Sequence, residues 1–262
     1  MSPPDDRVRF LATTSNRVSL LSALGDGPLR PAELVERLDL SRSATHRNLK
    51  DLVDLGWASR VEGGYTDTVG GRLVLGAYEE LIATVSLVEE YGESLEPLAE
   101  AGMSLSPSVL ESATVVTATQ GDPHAPLRYY TERVRELDPS RFLGIVPVVS
   151  PLFNEAHRSL LDAGAEGELV LDSAALSASK HDYGTEFDDA VATEELVVYA
   201  HPNSFSFGLS IVGQRVFLGA YEAGQFVACF EWGDPDVREE ALVAYETHRT
   251  AAREVDATAL PS

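Results

Sequence analysis

Cysteine is nearly missing from this chain. Cys229 stands alone among 262 residues, which excludes a disulfide framework and any zinc site built on several thiolates. Lysine is also scarce, with Lys50 and Lys180 the two present. No apolar run approaches the ~20 residues of a membrane-spanning helix. The opening stretch MSPPDDRVRF places acids where a signal peptide carries a basic stretch followed by an apolar one. Enzyme signatures are lacking as well: there is no G-x-S-x-G elbow, no P-loop, no G-x-G-x-x-G and no H-E-x-x-H pair. Cys229 lies among Phe226, Val227 and Phe230, where packing is its default role. These absences predict a cytoplasmic protein that is not an enzyme, with no cofactor, no metal and no membrane partner.

The charge that is present is of one sign. Forty-two Asp and Glu stand against 20 Lys and Arg, a net of −22, while 44% of the residues are hydrophobic. That apolar content supports a sizeable core, and the length suggests two domains. Acid excess with little lysine points to a salt-rich cytoplasm, as in a halophilic archaeon, where mutual repulsion is screened to ~3 Å at molar salt. An acidic mesophilic protein is the alternative. The excess is unevenly placed. Residues 1–75 hold ten basic and ten acidic residues, so residues 76–262 carry the whole imbalance. The neutral part can bind nucleic acid if its basic residues share a face; the acidic part is poorly suited to it.

In the neutral part, Val8, Leu11, Val18, Leu21 and Leu24 mark one helix over 8–24, closed by Gly25-Asp26-Gly27-Pro28. Pro31 and Glu33 suit the first turn of a short second helix. Asp39-Leu40 makes a turn, and Ser41 is the expected N-cap of a third helix ending near Leu55, with Gly56 behind it. Two short helices so joined form a helix-turn-helix pattern. At ~100° per residue, Ala44, Thr45, Leu49, Leu52 and Val53 fall on one side of the third helix, and Ser43, His46, Arg47 and Lys50 on the other. Arg and Lys side chains can bond guanine edges, and hydroxyl or imidazole groups can bond bases or phosphate. A solvated polar face is the alternative. Trp57–Val61 and Tyr65–Thr68 around Glu62-Gly63-Gly64 predict a β-hairpin, from which Arg60 can reach phosphate; Trp57 belongs to the core.

These residues resemble the winged-helix domains of prokaryotic regulators of the ArsR, MarR and IclR kind. The resemblance rests on Pro31-Ala32-Glu33-Leu34, on Leu40 to Leu49 and on Leu52 to Trp57. It implies groove contacts from Ser43, His46, Arg47 and Lys50, and phosphate contacts from Ser41, Arg42 and Arg60. Such regulators bind as dimers because two half-sites need two readers. A helix predicted over Leu73–Glu90, with Val74, Ala77, Tyr78, Leu81, Ile82, Val85 and Val88 along a broad stripe, is the candidate dimer element.

Pro97 and Pro107 bracket an expected loop-rich boundary. Beyond it, strands at 113–119, 142–149, 168–171 and 196–200 alternate with helices at 127–137, 152–163 and 186–193. The alternation predicts βαβ units and a mainly parallel sheet. A meander over 207–211, 216–221 and 226–231 and a helix over 237–254 complete an α/β domain with a mixed sheet. Ligands of open α/β sheets sit beyond the carboxyl ends of parallel strands, so Thr119, Ser150, Asp172 and His201 are candidate ligand-binding residues, with helix capping the alternative for Asp172. This part resembles the sensor domain of archaeal winged-helix regulators named for the methanogenesis and filament regulatory protein, on Pro107 to Leu110, Asp122 to Pro126, Gly144 to Pro151 and Glu231 to Asp234. The expected organisation is a winged helix-turn-helix over 1–70, a linker and dimerisation helix over 71–104, and an effector-sensing domain over 105–262. The implied function is a homodimeric regulator that reads double-stranded DNA and senses a small-molecule effector. A protein-docking adaptor that never touches DNA is the alternative.

Overall fold

A computed structural model describes residues 3–181 and 195–255. The chain divides into two compact units, Met1–Ser86 and Leu87–Ser262. The division falls inside one long helix rather than in a loop.

The first unit begins with α1 (Pro4–Ala12) and α2 (Ser15–Leu24). The single helix expected over 8–24 is thus two. Thr14 takes up an extended backbone and its hydroxyl accepts the amide of Asn16, so it caps a new helix instead of continuing the old one. Leu11, Leu21 and Leu24 are buried as the stripe requires, whereas Val8, in the same helix as Leu11, is exposed. Next come α3 (Pro31–Leu38) and α4 (Arg42–Asp54). Between them Asp39 adopts a left-handed backbone (φ 50°), a conformation that Asp tolerates better than most residues. Ser41 caps α4 by accepting the amide of Ala44 at 3.2 Å. Gly56, at φ 77°, turns the chain away from its far end.

A hairpin follows, β1 (Ala58–Val61) and β2 (Gly64–Asp67), paired antiparallel. Leu29 adds a third short rung, exchanging two 2.9 Å backbone hydrogen bonds with Tyr65. A Cβ on Gly64 would lie 2.2 Å from the Leu29 carbonyl oxygen, so this approach requires glycine.

Helix α5 (Val69–Ala99) is longer than the stretch expected over 73–90. Pro97 lies in its last turn and not in a loop. Its early residues Val74, Leu75 and Tyr78 pack on the first unit's core, and Leu87, Tyr91, Leu95 and Leu98 belong to the core of the second. Gly71 seats α5 against the hairpin. A Cβ there would stand 2.1 Å from the backbone oxygen of Trp57. Gly71→Ala is therefore expected to destabilise the first unit by about 2 kcal/mol through overpacking, read as a lower urea midpoint.

In the second unit, α6 (Pro107–Glu111) precedes β3 (Thr114–Thr117), α7 (Ala125–Arg135), β4 (Arg141–Val146), α8 (Pro151–Asp162), β5 (Glu166–Leu171) and a helix over 173–181, α9. The helix expected at 186–193 lies outside the described residues. The chain continues with β6 (Leu196–Ala200), β7 (Phe207–Val212), β8 (Arg215–Glu222), β9 (Gln225–Trp232), α10 (Pro235–Ala251) and β10 (Arg253–Glu254). These strands form one eight-stranded sheet in the order β10-β6-β5-β4-β7-β8-β9-β3. The parallel part is confined to β4, β5 and β6; the other pairings are antiparallel. The sheet is accordingly mixed, and the expectation of a mainly parallel one is corrected. The last helix also stops short of 254. Ala252 is extended, and Arg253 and Glu254 pair with Ala200 and Tyr199, covering the edge of β6.

Both faces of the sheet are covered, which explains the nearly unbroken apolar runs of β8 and β9. Val216, Leu218, Ala220, Phe230 and Trp232 join a core with α10 and the end of α5. Phe217, Tyr221 and Cys229 alternate onto the opposite face, with Tyr130 of α7 and Phe153 of α8. No helix among the described residues is long and apolar enough to cross a membrane.

Candidate nucleic-acid interface and cavities

Helix α4 is fixed from its inner side. Leu49 and Leu52 are fully buried, and so are the polar residues Thr45 and Asn48. The Thr45 hydroxyl donates to the Ser41 carbonyl at 3.1 Å, and Asn48 accepts from Arg17 at 3.4 Å. Arg17 itself lies over the Phe10 ring, 3.8 Å from its centroid, so it is spent on packing. These contacts leave the helix one free face.

On that face Arg42, Ser43, His46, Arg47 and Lys50 are all exposed, as are Ser41 at the cap and Arg60 on the hairpin. The division of α4 into a buried and a polar side follows the angular pattern of its sequence. Arg60 lies over the Tyr65 ring at 5.5 Å, which holds its guanidinium on the hairpin's surface. Among the described residues, three of the unit's ten cations are ion-paired and seven are not, Arg7, Arg17 and Arg30 being three of the seven. Arg9, Arg37 and Arg72 are ion-paired with Asp6, Asp26 and Asp67. Arg42, Arg47, Lys50 and Arg60 make no ion pair among the described residues, although residues 1–75 hold ten acids for their ten bases. An outward, uncompensated set of donors on one helix and the adjoining hairpin is chemically suited to phosphate and to base edges.

The ligand-binding candidates of the second unit do not form one rim. Thr119 is exposed just past β3, on the far edge strand, where it closes a small turn with Asp122. The strand it follows is antiparallel, so the carboxyl-end rule does not apply there. Ser150 caps α8 by accepting the amide of Phe153 at 3.3 Å. Asp172 is buried and accepts the amides of Ala175 at 2.7 Å and Phe205 at 3.2 Å, joining α9 to the approach of β7. His201, just past β6, is buried as well, and its Nδ1 lies 3.2 Å from the backbone of Asn203. Ser150, Asp172 and His201 follow the neighbouring parallel strands β4, β5 and β6; Thr119 stands elsewhere, past the antiparallel β3.

Among the described residues, hollows open at the carboxyl ends of the parallel strands. One, of about 20 Å³, is lined by Ile145, Pro147, Tyr130, His157, Ser210 and Tyr221 among others. It has room for about one water. Inside it the Tyr130 hydroxyl donates to Ser210 at 2.9 Å and lies 2.9 Å from His157 Nε2. The His157 ring stacks on Phe142, with 5.4 Å between centroids. Burial pushes this imidazole down to about 4, so it is neutral at neutral pH. Another hollow is open and much larger, about 660 Å³. Ser173, Ser177 and Lys180 of α9 line it with His201 and Arg253. Of these, sequence reasoning singled out His201. The signal for the α9 residues was available: Ser173, Leu176, Ser177 and Lys180 fall at helical spacing and include the second of the two lysines. Arg253 carried no such signal, because it belongs to a two-residue edge strand. Among the described residues, no three His, Cys, Asp or Glu side chains are grouped to hold a metal.

Residues 5–90 match the family described as the HVO_A0261 N-terminal domain. Residues 123–251 match the middle domain of the methanogenesis regulatory protein FilR1. No curated protein matches the chain. Among solved structures it is similar to TrmBL2, described as an archaeal chromatin protein with a novel mode of DNA binding. That similarity has 19% identity and a TM-score of 0.45 over 97% of this chain and 100% of that one. NucT from Helicobacter pylori is similar at 10% identity and a TM-score of 0.44, over 55% of this chain and 98% of that one. Nuc from Salmonella typhimurium, a phospholipase D family member, gives 13%, 0.43, 55% and 98% in the same order. The family matches support an archaeal regulator of transcription.

Proposed function

We propose that this protein is a cytoplasmic, homodimeric transcription regulator that reads promoter DNA with a winged helix and senses a small-molecule effector with its α/β unit. One observation carries the reading: α4 presents Arg42, His46, Arg47 and Lys50 outward without an ion pair among the described residues, and the adjoining hairpin presents Arg60. In this reading α4 is the recognition helix and the hairpin is the wing. Effector binding in the second unit alters the affinity of the first for its promoter.

The proposed dimer contact is α5. Leu81, Val85 and Val88 are exposed along it at spacings of four and three residues, with Ile82 beside them, and Val69 and Leu73 are exposed about two turns earlier; the exposures are 46–71%. A contiguous apolar stripe of this kind favours burial against a second copy. Dimerisation also matters for affinity. In the molar salt that the acidic composition suits, counterion release from DNA contributes little, so base contacts doubled over two half-sites must supply most of the binding.

Occupancy mapping of the tagged chain in its native host tests the proposal. Discrete peaks upstream of genes, with a paired half-site beneath them, are the expected result. Background-level occupancy together with recovery of a stable protein partner would instead establish the docking-adaptor alternative.

A further inference from the structure

The geometry points to the larger hollow of the second unit as a binding site for a small anion, a phosphoryl or carboxylate compound. The inference deepens the sensor reading above by naming the ligand's chemical class, and it rests on that reading for its regulatory meaning.

The argument begins with the cations of an acidic domain. Ten basic residues lie between 76 and 262. Arg128, Arg133, Arg135, Arg141, Arg215 and Arg249 each pair with a carboxylate. Arg238 donates to the Gly213 carbonyl at 2.8 Å, and Arg158 is not free either. Lys180 and Arg253 remain, and neither has an ion pair or side-chain hydrogen bond among the described residues. Both line the same hollow. With 32 acids in that part of the chain, a cation left without an acid is uncommon, and two at one cavity make a local reversal of sign. Such a reversal concentrates anions where the rest of the surface repels them.

The remaining walls suit the same guest. Ser173 and Ser177 lie on the face of α9 that carries Lys180, two turns and one turn from it. They add hydroxyl donors, and Ser173 stands in the first turn, where backbone amides favour negative charge. His201 is 6% exposed. With Nδ1 engaged by Asn203, its other ring nitrogen has no hydrogen bond among the described residues. Asp172, the nearest buried carboxylate in sequence, is spent on two backbone amides. The hollow lies past the end of β6, within the parallel part of the sheet, where open α/β sheets hold ligands. Its volume of about 660 Å³ falls in the range of small-molecule pockets.

Calorimetry on the full chain at fixed chloride tests the site with four probes: inorganic phosphate, glucose 6-phosphate, citrate and uncharged glucose. Saturable binding of at least one anion and none of glucose is expected. Phosphate and glucose 6-phosphate against citrate decide between phosphoryl and carboxylate guests. Lys180→Met and Arg253→Met change exposed side chains and should leave the melting temperature unchanged. Each is expected to weaken binding about tenfold, as loss of one charge-assisted hydrogen bond would. Absence of saturable binding by every anion, or variants that bind as the parent does, would overturn the site. No DNA is present in these measurements. Failure here therefore leaves the promoter-reading proposal standing, and failure of occupancy mapping leaves the anion site standing.

Discussion

Arg47→Ala is expected to lower the affinity of the intact protein for its promoter DNA by about 10- to 100-fold, the ~1–3 kcal/mol of one base-edge contact. Gel shifts against the unchanged chain measure it. Arg47 is exposed, unpaired among the described residues and on the outer side of α4, so its removal empties no core. Alanine is also the best helix former, which makes the loss of affinity separable from any loss of fold. Lys50→Ala discriminates further. A base contact weakens binding to the preferred site at every salt concentration and relaxes its sequence preference. A phosphate contact lowers affinity for all sequences and flattens the salt dependence by one contact, a slope change of about 0.9. Unchanged affinity in both variants would remove the assigned face of α4 and with it the proposed mode of reading.

The second large effect concerns acid. His157 is enclosed between Phe142 and Tyr130 and stays neutral down to about pH 4, whereas in an unfolded chain it accepts a proton near pH 6.5. Between those values the unfolded state binds more protons at this position than the folded one. Stability contributed here is thus complete above pH 6.5 and falls as pH drops towards 4. At ~1.36 kcal/mol per pKa unit, the loss reaches about 3 kcal/mol. Urea unfolding at pH 7 and pH 4.5, compared with His157→Gln, checks it. Glutamine keeps a polar partner for the Tyr130 hydroxyl and cannot titrate. The parent should lose about 2.4 kcal/mol more than the variant across this interval, the rest of the effect lying below pH 4.5. Parallel curves would mean that the imidazole is already solvated in the native state. The same comparison cancels the many surface carboxylates, which protonate alike in both proteins.

Much of the architecture was legible from residue order because local chemistry and tertiary packing agree. Ser41 as a cap, Gly56 as a helix end, buried Trp57 and the glycine turn of the hairpin each follow from one residue's own preferences, and the division of α4 into two sides from its angular pattern. The meander was legible for a similar reason, since Gly213 and Gly224 turn the chain at positive φ. What escaped depended on partners distant in sequence. Thr14 interrupts a continuous apolar stripe through its own hydroxyl, against the periodicity around it. Pro97 is tolerated in the last turn of α5, where tertiary contacts of Leu95 and Leu98 hold the helix. The extent of parallel pairing was misjudged because β4 has a parallel neighbour on one side and the antiparallel β7 on the other, and an apolar strand reads alike beside either. Of the candidate ligand residues, Ser150 and Asp172 sit at helix starts, where capping and ligand binding call for the same side chains. Lys180 and Arg253 come together through the pairing of β10 with β6, a contact between segments some fifty residues apart.

The rung between Leu29 and Tyr65 bears on how the first unit assembles. The hairpin is a graft onto a strand laid down before α3, so its third member is available only after the intervening helix pair has folded back on itself. Closure of that loop of thirty-odd residues costs entropy before the rung is gained. The first unit is therefore expected to fold as one cooperative piece. A peptide cut to the hairpin alone, or a chimera that transplants it without the segment around Leu29, would lack the template that sets its twist.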